Sequence, residues 1–463
     1  MKRTNLVLLF LVLIATTLFA NKKPNIILVF ADDLGIGDLS CYGQMMTQTP
    51  NLDKMACEGI RFTNFYTGTP VCSPSRCNLM TGMHAGHAEI RHNQNDSVHG
   101  QIPLSVNAFT MGTMLKNEGY ATGCFGKWAL GVPGNSGDPM LHGFDNFYGF
   151  YCQCYAHNSF PPILWKNGDT IRLRNEIVPV KVNFCNYPLS YSSKKLDFAP
   201  ELYFKEALNF IETNREKPFF LYFATTLPHN NGEAPESEKH EVPDLGIYKD
   251  KNWTVLEKSY AAMVTLLDTQ MGILFEKLKK EGLDKNTIVI FTSDNGASFN
   301  SPNMKNNGTY RGRKSTLYEG GIREPMIVRW PERIKAGSTC EMPCATYDIM
   351  PTIAEITGAK IPVKVDGRST LKSLKGKKQK QADFLYWEYY SGDRSPVQAI
   401  RQGDWKLLRF NFLQPEKQEI ELYHLASDPG EKYNLVQDNS LLVSRLLSIL
   451  DKEHSDYKHY ISE

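Results

Sequence analysis

The sequence predicts an α/β fold, a central sheet covered by helices on both faces, with a smaller C-terminal subdomain of antiparallel strands and a helix. Three observations predict it. Four short apolar runs are continuous and rich in β-branched and aromatic residues, the mark of strands buried on both faces. Helical patterns fall between those runs, which is the order of a layered α/β unit. Beyond a basic, glycine-containing stretch at residues 372–380, the chain changes to short strands separated by turn signals.

Taken in order, residues 26–30, 219–223, 288–291 and 326–328 read as buried parallel strands. Residues 51–58 read as a helix, with Thr49 as N-cap, Pro50 in the first turn and Gly59 as the stop. Further helices are predicted over 202–214 and over 259–280, before Gly282. Residues 384–390, 397–401, 405–410 and 420–425 read as antiparallel strands, with Gln402-Gly403-Asp404 as a tight turn and 441–457 as a closing helix. The predicted boundaries are 1–20, 21–375 and 376–463.

Lys2 and Arg3 precede an apolar stretch over residues 6–15 and a short exit to Ala20, the pattern of a signal peptide. An exported protein is expected, periplasmic or secreted. The stretch is short for a membrane span, so no stable membrane insertion is expected. Fifty-two basic residues against fifty acidic ones leave a net charge of +2, which gives no global field for a nucleic-acid backbone. Ten cysteines could pair in an oxidising compartment, but no histidine stands at zinc-ligand spacing beside Cys152/Cys154 or Cys340/Cys344.

Two of the buried strands run into acid: Asp32-Asp33 after the first, Ser293-Asp294-Asn295-Gly296 after the third. Ligands bind beyond the carboxyl ends of strands in open α/β sheets, so these groups can converge. Three carboxylates and an amide oxygen in one cleft repel one another without a cation, and all-oxygen ligation favours calcium or magnesium. The alternative is that each Asp is a helix cap or turn former. Cys72-Ser73-Pro74-Ser75-Arg76, with Leu79-Met80-Thr81-Gly82 behind, reads as a helix start whose cysteine faces the electropositive end. An ordinary capped helix with a core or disulfide-bonded cysteine fits the same pattern.

The pattern Cys-x-Pro-Ser-Arg-x4-Thr-Gly resembles the signature of the type I, formylglycine-dependent sulfatases of the alkaline phosphatase superfamily. Gly119 to Thr122 with Gly126-Lys127-Trp128, Ser293 to Gly296, Lys314 with Tyr318 to Gly321, and Glu421 to Leu435 follow in family order. The resemblance implies an alkaline-phosphatase-like mixed sheet and a sulfuric ester hydrolase. It implies that a formylglycine-generating enzyme converts Cys72 to formylglycine, the nucleophile, and that Asp32, Asp33, Asp294 and Asn295 hold calcium, which residue 72 also contacts. Arg76 and Lys127 would stabilise the nucleophile and the sulfate, Lys314 would grip the sulfate from the far side, and His229 would protonate the leaving oxygen. Cations, a metal and a positioned acid suit a sulfate ester whose alkoxide must leave.

The region from Gly143 through Cys154, His157, Asn158 and Trp165 resembles branches acting on sulfated galactose or N-acetylgalactosamine, as in glycosaminoglycan or mucin glycans. His157 is the candidate substrate contact, with Arg91 and Asn93 as further ones. One position departs from the family: Ala129 stands where a histidine is usual, so that another group or a water would take over as base; His84 and His87 are the nearest candidates in sequence, although structural roles suit both better. The same site type serves phosphodiesterases and phosphonate monoester hydrolases, and a relative without turnover would be a secreted glycan-binding protein.

Overall fold

The structure is a computed structural model and describes residues 23–93, 101–181, 189–392 and 394–457. Residues 1–20, expected to be a signal peptide, lie outside the described residues. No helix among the described residues is long and apolar enough to cross a membrane.

One sheet of ten strands organises the chain. In chain order these are β1 (Asn25–Ala31), β2 (Ile60–Phe62), β3 (Ala121–Lys127), β4 (Asn146–Phe150), β5 (Ile163–Lys166), β6 (Asp169–Arg172), β7 (Phe219–Ala224), β8 (Thr287–Ser293), β9 (Met326–Arg329) and β10 (Ser338–Cys340). Across the sheet the order is β10-β2-β9-β8-β1-β7-β3-β4-β5-β6. The central run β8-β1-β7-β3-β4 is parallel. The strand expected at 326–328 is present but antiparallel to β8, which corrects the sequence reading. A parallel neighbour needs a crossover to the opposite end of the sheet. Here the segment between β8 and β9, with only a short helix at Glu319–Ile322, brings the chain back beside β8 in the opposite direction.

Strand alternation assigns the two cores. Ile27, Val29, Phe219, Leu221, Val289 and Phe291 face one, packed under α1 (Pro50–Glu58), α4 (Ala199–Thr213) and α5 (Val255–Lys280). Ile26, Leu28, Phe30, Tyr222 and Ile290 face the other, under α2 (Cys72–Thr81), α3 (Met111–Asn117) and α6 (Ile349–Thr357). Both sides of each strand are apolar for this reason. α5 starts at Val255, earlier than expected, because Thr254 and Glu257 form a capping box: Thr254 Oγ1 accepts from Glu257 N at 3.2 Å and Glu257 accepts from Thr254 N at 3.0 Å.

The C-terminal strands β11 (Leu385–Tyr389), β12 (Val397–Gln402), β13 (Trp405–Phe410) and β14 (Glu419–His424) form an antiparallel sheet in sequence order. Gly403, at φ 61°, turns β12 into β13. Helix α7 (Ser440–Glu453) ends short of the predicted 457 and packs Leu446 and Leu450 on Ile400, Leu407 and Leu422. The opposite face places Trp387 and Leu408 against Tyr66, Val71 and Leu317 of the larger unit. Lys406, fully buried, bridges Glu319 and Glu431 at 2.9 Å each across that contact.

Candidate active site

The carboxyl edge of the parallel strands collects the predicted residues. β1 delivers Asp32 and Asp33, β8 delivers Asp294 and Asn295, β3 ends on Lys127, and the loop after β7 carries His229. Asp33 sits in the left-handed region at φ 60°, and its amide donates to Asp294 Oδ1 at 3.1 Å, which locks the two strand ends together. Gly126, just before Lys127, lies so close to β7 that a Cβ there would stand 2.0 Å from the Ala224 carbonyl oxygen. Only glycine lets β3 approach and aim the lysine.

Cys72 is the first residue of α2 and is 2% exposed. Its Sγ lies 3.3 Å from Asp32 Oδ1 and 3.5 Å from Lys314 Nζ. Arg76, one turn along, donates to Asp294 Oδ2 at 2.9 Å and to the Lys127 carbonyl at 2.7 Å. Lys127 Nζ bonds Asp32 Oδ2 at 2.7 Å. Lys314 Nζ pairs with Asp33 Oδ1 at 2.7 Å and lies 3.1 Å from His229 Nε2. All the predicted catalytic residues, Cys72, Arg76, Lys127, His229 and Lys314, meet in one buried cluster.

Charge in the cluster is strongly organised. Burial pushes Asp32 up, but Lys127, His229 and Arg76 outweigh it and hold the carboxyl well below the usual range. Asp33 is lowered in the same way: burial opposes, Lys314 and His229 prevail. Asp294 is pushed well up by burial and then by the neighbouring Asp32 and Cys72, beyond what Arg76 recovers. Burial lowers His229. Such opposed shifts within one site are typical of functional carboxylates and bases.

The donor set fits a hard cation. Asn295 Oδ1 is buried without a hydrogen-bond partner, while Asn295 Nδ2 donates to Asp33 Oδ1 at 2.7 Å. Asp32, Asp33, Cys72 and His229 offer donor atoms within 4.8 Å of one another. That group brings in His229, which the sequence reading did not count among the metal ligands, and does not include Asp294. Calcium takes oxygen, so the carboxylates and the orphaned amide oxygen would suit it better than the imidazole.

The remaining expectations divide. His157 does reach the site: its ring stacks on His229 with centroids 4.8 Å apart. Asn93 accepts from Ser73 N at 3.1 Å, beside the nucleophile position. Arg91 does not belong to the site. Its guanidinium is buried against Glu388 at 3.2 Å and the Ser455 carbonyl at 2.6 Å, because the buried Glu388 carboxylate needs a charged partner. Nor do His84 and His87 serve as substitute bases near Cys72: they follow the far end of α2, a ten-residue helix about 15 Å long. His84 Nδ1 accepts from Gly86 N, and His87 Nδ1 bonds Asp366 at 3.0 Å. Two further residues were missed. Gln153 accepts from Ser73 Oγ at 2.7 Å, and Glu233 faces His157 at 3.1 Å. Both act across long sequence separations, which no local pattern announces.

Known proteins agree with this geometry. The family described as Sulfatase matches residues 24–359, and one described as N-sulphoglucosamine sulphohydrolase, C-terminal, matches 308–456. The chain is 32% identical to mouse N-acetylgalactosamine-6-sulfatase, covering 90% of this chain and 82% of that protein. It is 32% identical to human arylsulfatase A, covering 92% and 86%. An N-acetylgalactosamine-6-O-sulfatase of Bacteroides thetaiotaomicron is 28% identical, covering 93% of each chain. Among solved structures, Ps i-CgsB in complex with k-i-k-neocarrahexaose superposes with a TM-score of 0.77 at 26% identity, covering 95% of each chain. The cluster at the carboxyl edge and these matches together place the chain in the sulfatase family, as a sulfuric ester hydrolase.

Proposed function

We propose that this is an exported carbohydrate sulfatase that hydrolyses a sulfate ester on a galactose or N-acetylgalactosamine unit of a glycosaminoglycan or mucin-type glycan. The observation that carries this reading is Cys72 Sγ at the start of α2, set between Asp32 and Lys314 with Arg76, Lys127 and His229 around it. The substrate class is supported by the N-acetylgalactosamine-6-sulfatase relatives.

Cys72 is modified to formylglycine by a formylglycine-generating enzyme, and the modified residue supplies a hydrated aldehyde as nucleophile. Asp32, Asp33, Asp294 and Asn295 would hold calcium, which would supply positive charge for the sulfate oxygens. Lys127 and Arg76 orient the nucleophile position and hold negative charge from one side, and Lys314 does so from the other. His229 Nε2 faces this centre; with the ring protonated on both nitrogens, the Nε2 proton passes to the leaving alkoxide as its sulfur–oxygen bond breaks, which returns the imidazole to its neutral, Nδ1-protonated form. His157 at the rim contacts the sugar.

The test is a panel of defined sulfated galactose, N-acetylgalactosamine and glucosamine sugars, plus a phosphonate monoester, offered to protein whose residue 72 has been read by mass spectrometry. Desulfation confined to the galacto-configured sugars is expected. Turnover by protein carrying an unmodified Cys72, or preference for the phosphonate monoester, would overturn the reading.

A further inference from the structure

We propose that Glu233 is a positioning residue for the leaving-group acid, acting on His229 through the stacked ring of His157. The proposal rests on the reading of His229 as that acid.

The geometry runs in one line. His229 Nδ1 lies 2.7 Å from the Asn230 carbonyl, which can only accept, so Nδ1 carries a proton and Nε2 is the nitrogen presented to the site. Nε2 also lies 3.1 Å from Lys314 Nζ, so both ring nitrogens have partners, but neither partner covers the ring face. His157 supplies that constraint: its ring lies 4.8 Å from that of His229 with 19° between the planes. His157 is held in turn by Glu233, whose two carboxylate oxygens lie 3.3 and 3.1 Å from His157 Nδ1. The Glu233 side chain is 5% exposed, so this contact is made away from water.

Glu233 is itself anchored. Its amide donates to Asn231 Oδ1 at 3.2 Å, Asn231 N donates to the Lys239 carbonyl at 2.7 Å, and Asn231 Nδ2 donates to the Ser190 carbonyl at 3.2 Å. A carboxylate fixed to a loop, gripping one imidazole that covers another, resembles the outer partners that set ring orientation in other histidine sites. Burial raises the Glu233 carboxyl, but the hydrogen bond from His157 outweighs it and keeps the group ionised, which is the state needed to hold Nδ1.

The role has a signature that loop stability alone lacks. An acid matters most when the leaving group is poor. Glu233→Gln should therefore cut kcat on a sugar sulfate by about 10- to 100-fold, and cut it on an activated aryl sulfate by less than about threefold. The ratio of the two rates in one preparation is independent of how much protein is folded. Adding Glu233→Gln to His229→Ala should cost nothing further, since residues acting as a unit are not additive. Equal losses on both substrates, or an additive double variant, would overturn the proposal. If His229→Ala itself shows no leaving-group dependence, the acid assignment fails first, and that result is separable from failure of Glu233 alone.

Discussion

Removing Lys127 should make the stability of this protein depend more strongly on calcium. Three carboxyl groups, Asp32, Asp33 and Asp294, face three cations, Arg76, Lys127 and Lys314, at 2.7–3.7 Å. That near balance predicts that chelated wild-type protein stays folded, because each carboxylate keeps a buried partner. Lys127→Met leaves Asp32 with only the longer 3.7 Å contact to Arg76. Breaking one side of a buried pair costs about 3–5 kcal/mol. A calcium ion at 100 times its dissociation constant returns about 2.7 kcal/mol to either protein, and more to the variant if affinity rises as the competing ammonium leaves. Thermal and urea unfolding with calcium, with EDTA, and with both in sequence measures all four states. The expected result is a larger calcium-dependent shift for Lys127→Met than for wild type. If chelation alone unfolds the wild type, or if the two shifts are equal, the charge-matching argument is wrong.

Cys72→Ser should abolish turnover in a host that modifies only cysteine, with peptide mass spectrometry reporting the residue and circular dichroism showing an intact fold. Lys406→Met should destabilise by about 3–5 kcal/mol in urea unfolding, since it takes from Glu431 its buried cation and leaves Glu319 only Arg323 as ion-pair partner at 3.2 Å; no loss would show that contact to be hydrated. Burial raises Glu241 from 4.5 to about 7. The folded state then holds its proton more tightly, so this stability is full below pH 4.5 and is lost as pH rises to 7, by up to about 3 kcal/mol. Glu241→Gln should flatten that slope in denaturation curves between pH 4.5 and 7, and an unchanged slope would count against it. Rapid mixing on a good sugar sulfate should give linear sulfate release over many turnovers; a single burst with mass retained on residue 72 would mark a relative without turnover.

The sheet was legible where residues bury apolar side chains on both faces. β1, β7 and β8 announced themselves because helices cover both sides and no polar alternation remains. β3 did not, because Gly123 and Gly126 interrupt its pattern. Those glycines are there for close approach to neighbouring groups, a tertiary demand that reads locally as a poor strand. The direction of β9 was equally hidden, since direction is decided by where the connecting loop runs and not by the four residues of the strand. At the site, residues following strand ends could be placed from sequence, as the topology sends them to one edge. Arg91 and Glu233 could not be, because their partners Glu388 and His157 lie far away in the chain and the pairs form only on folding.

Ala129 tests how much of the motif is backbone and how much is side chain. Its amide donates to the Tyr151 carbonyl at 3.0 Å, the preceding Trp128 amide donates to Phe150 at 2.9 Å, and Trp128 Nε1 donates to Gly137 at 2.7 Å. The segment that aims Lys127 is thus held by main-chain bonds and by the neighbouring indole, with no call on the side chain at 129. Ala129 keeps the left-handed conformation at φ 62° while fully buried, so the strain of that turn is retained without the histidine that family resemblance leads one to expect. Loss of the imidazole therefore leaves the grip of Lys127 on Asp32 intact and removes only a group able to exchange a proton. With His84 and His87 placed beyond the far end of α2, the proposed mechanism then places the effect of the departure on proton transfer after the ester is cleaved and not on holding the sulfate.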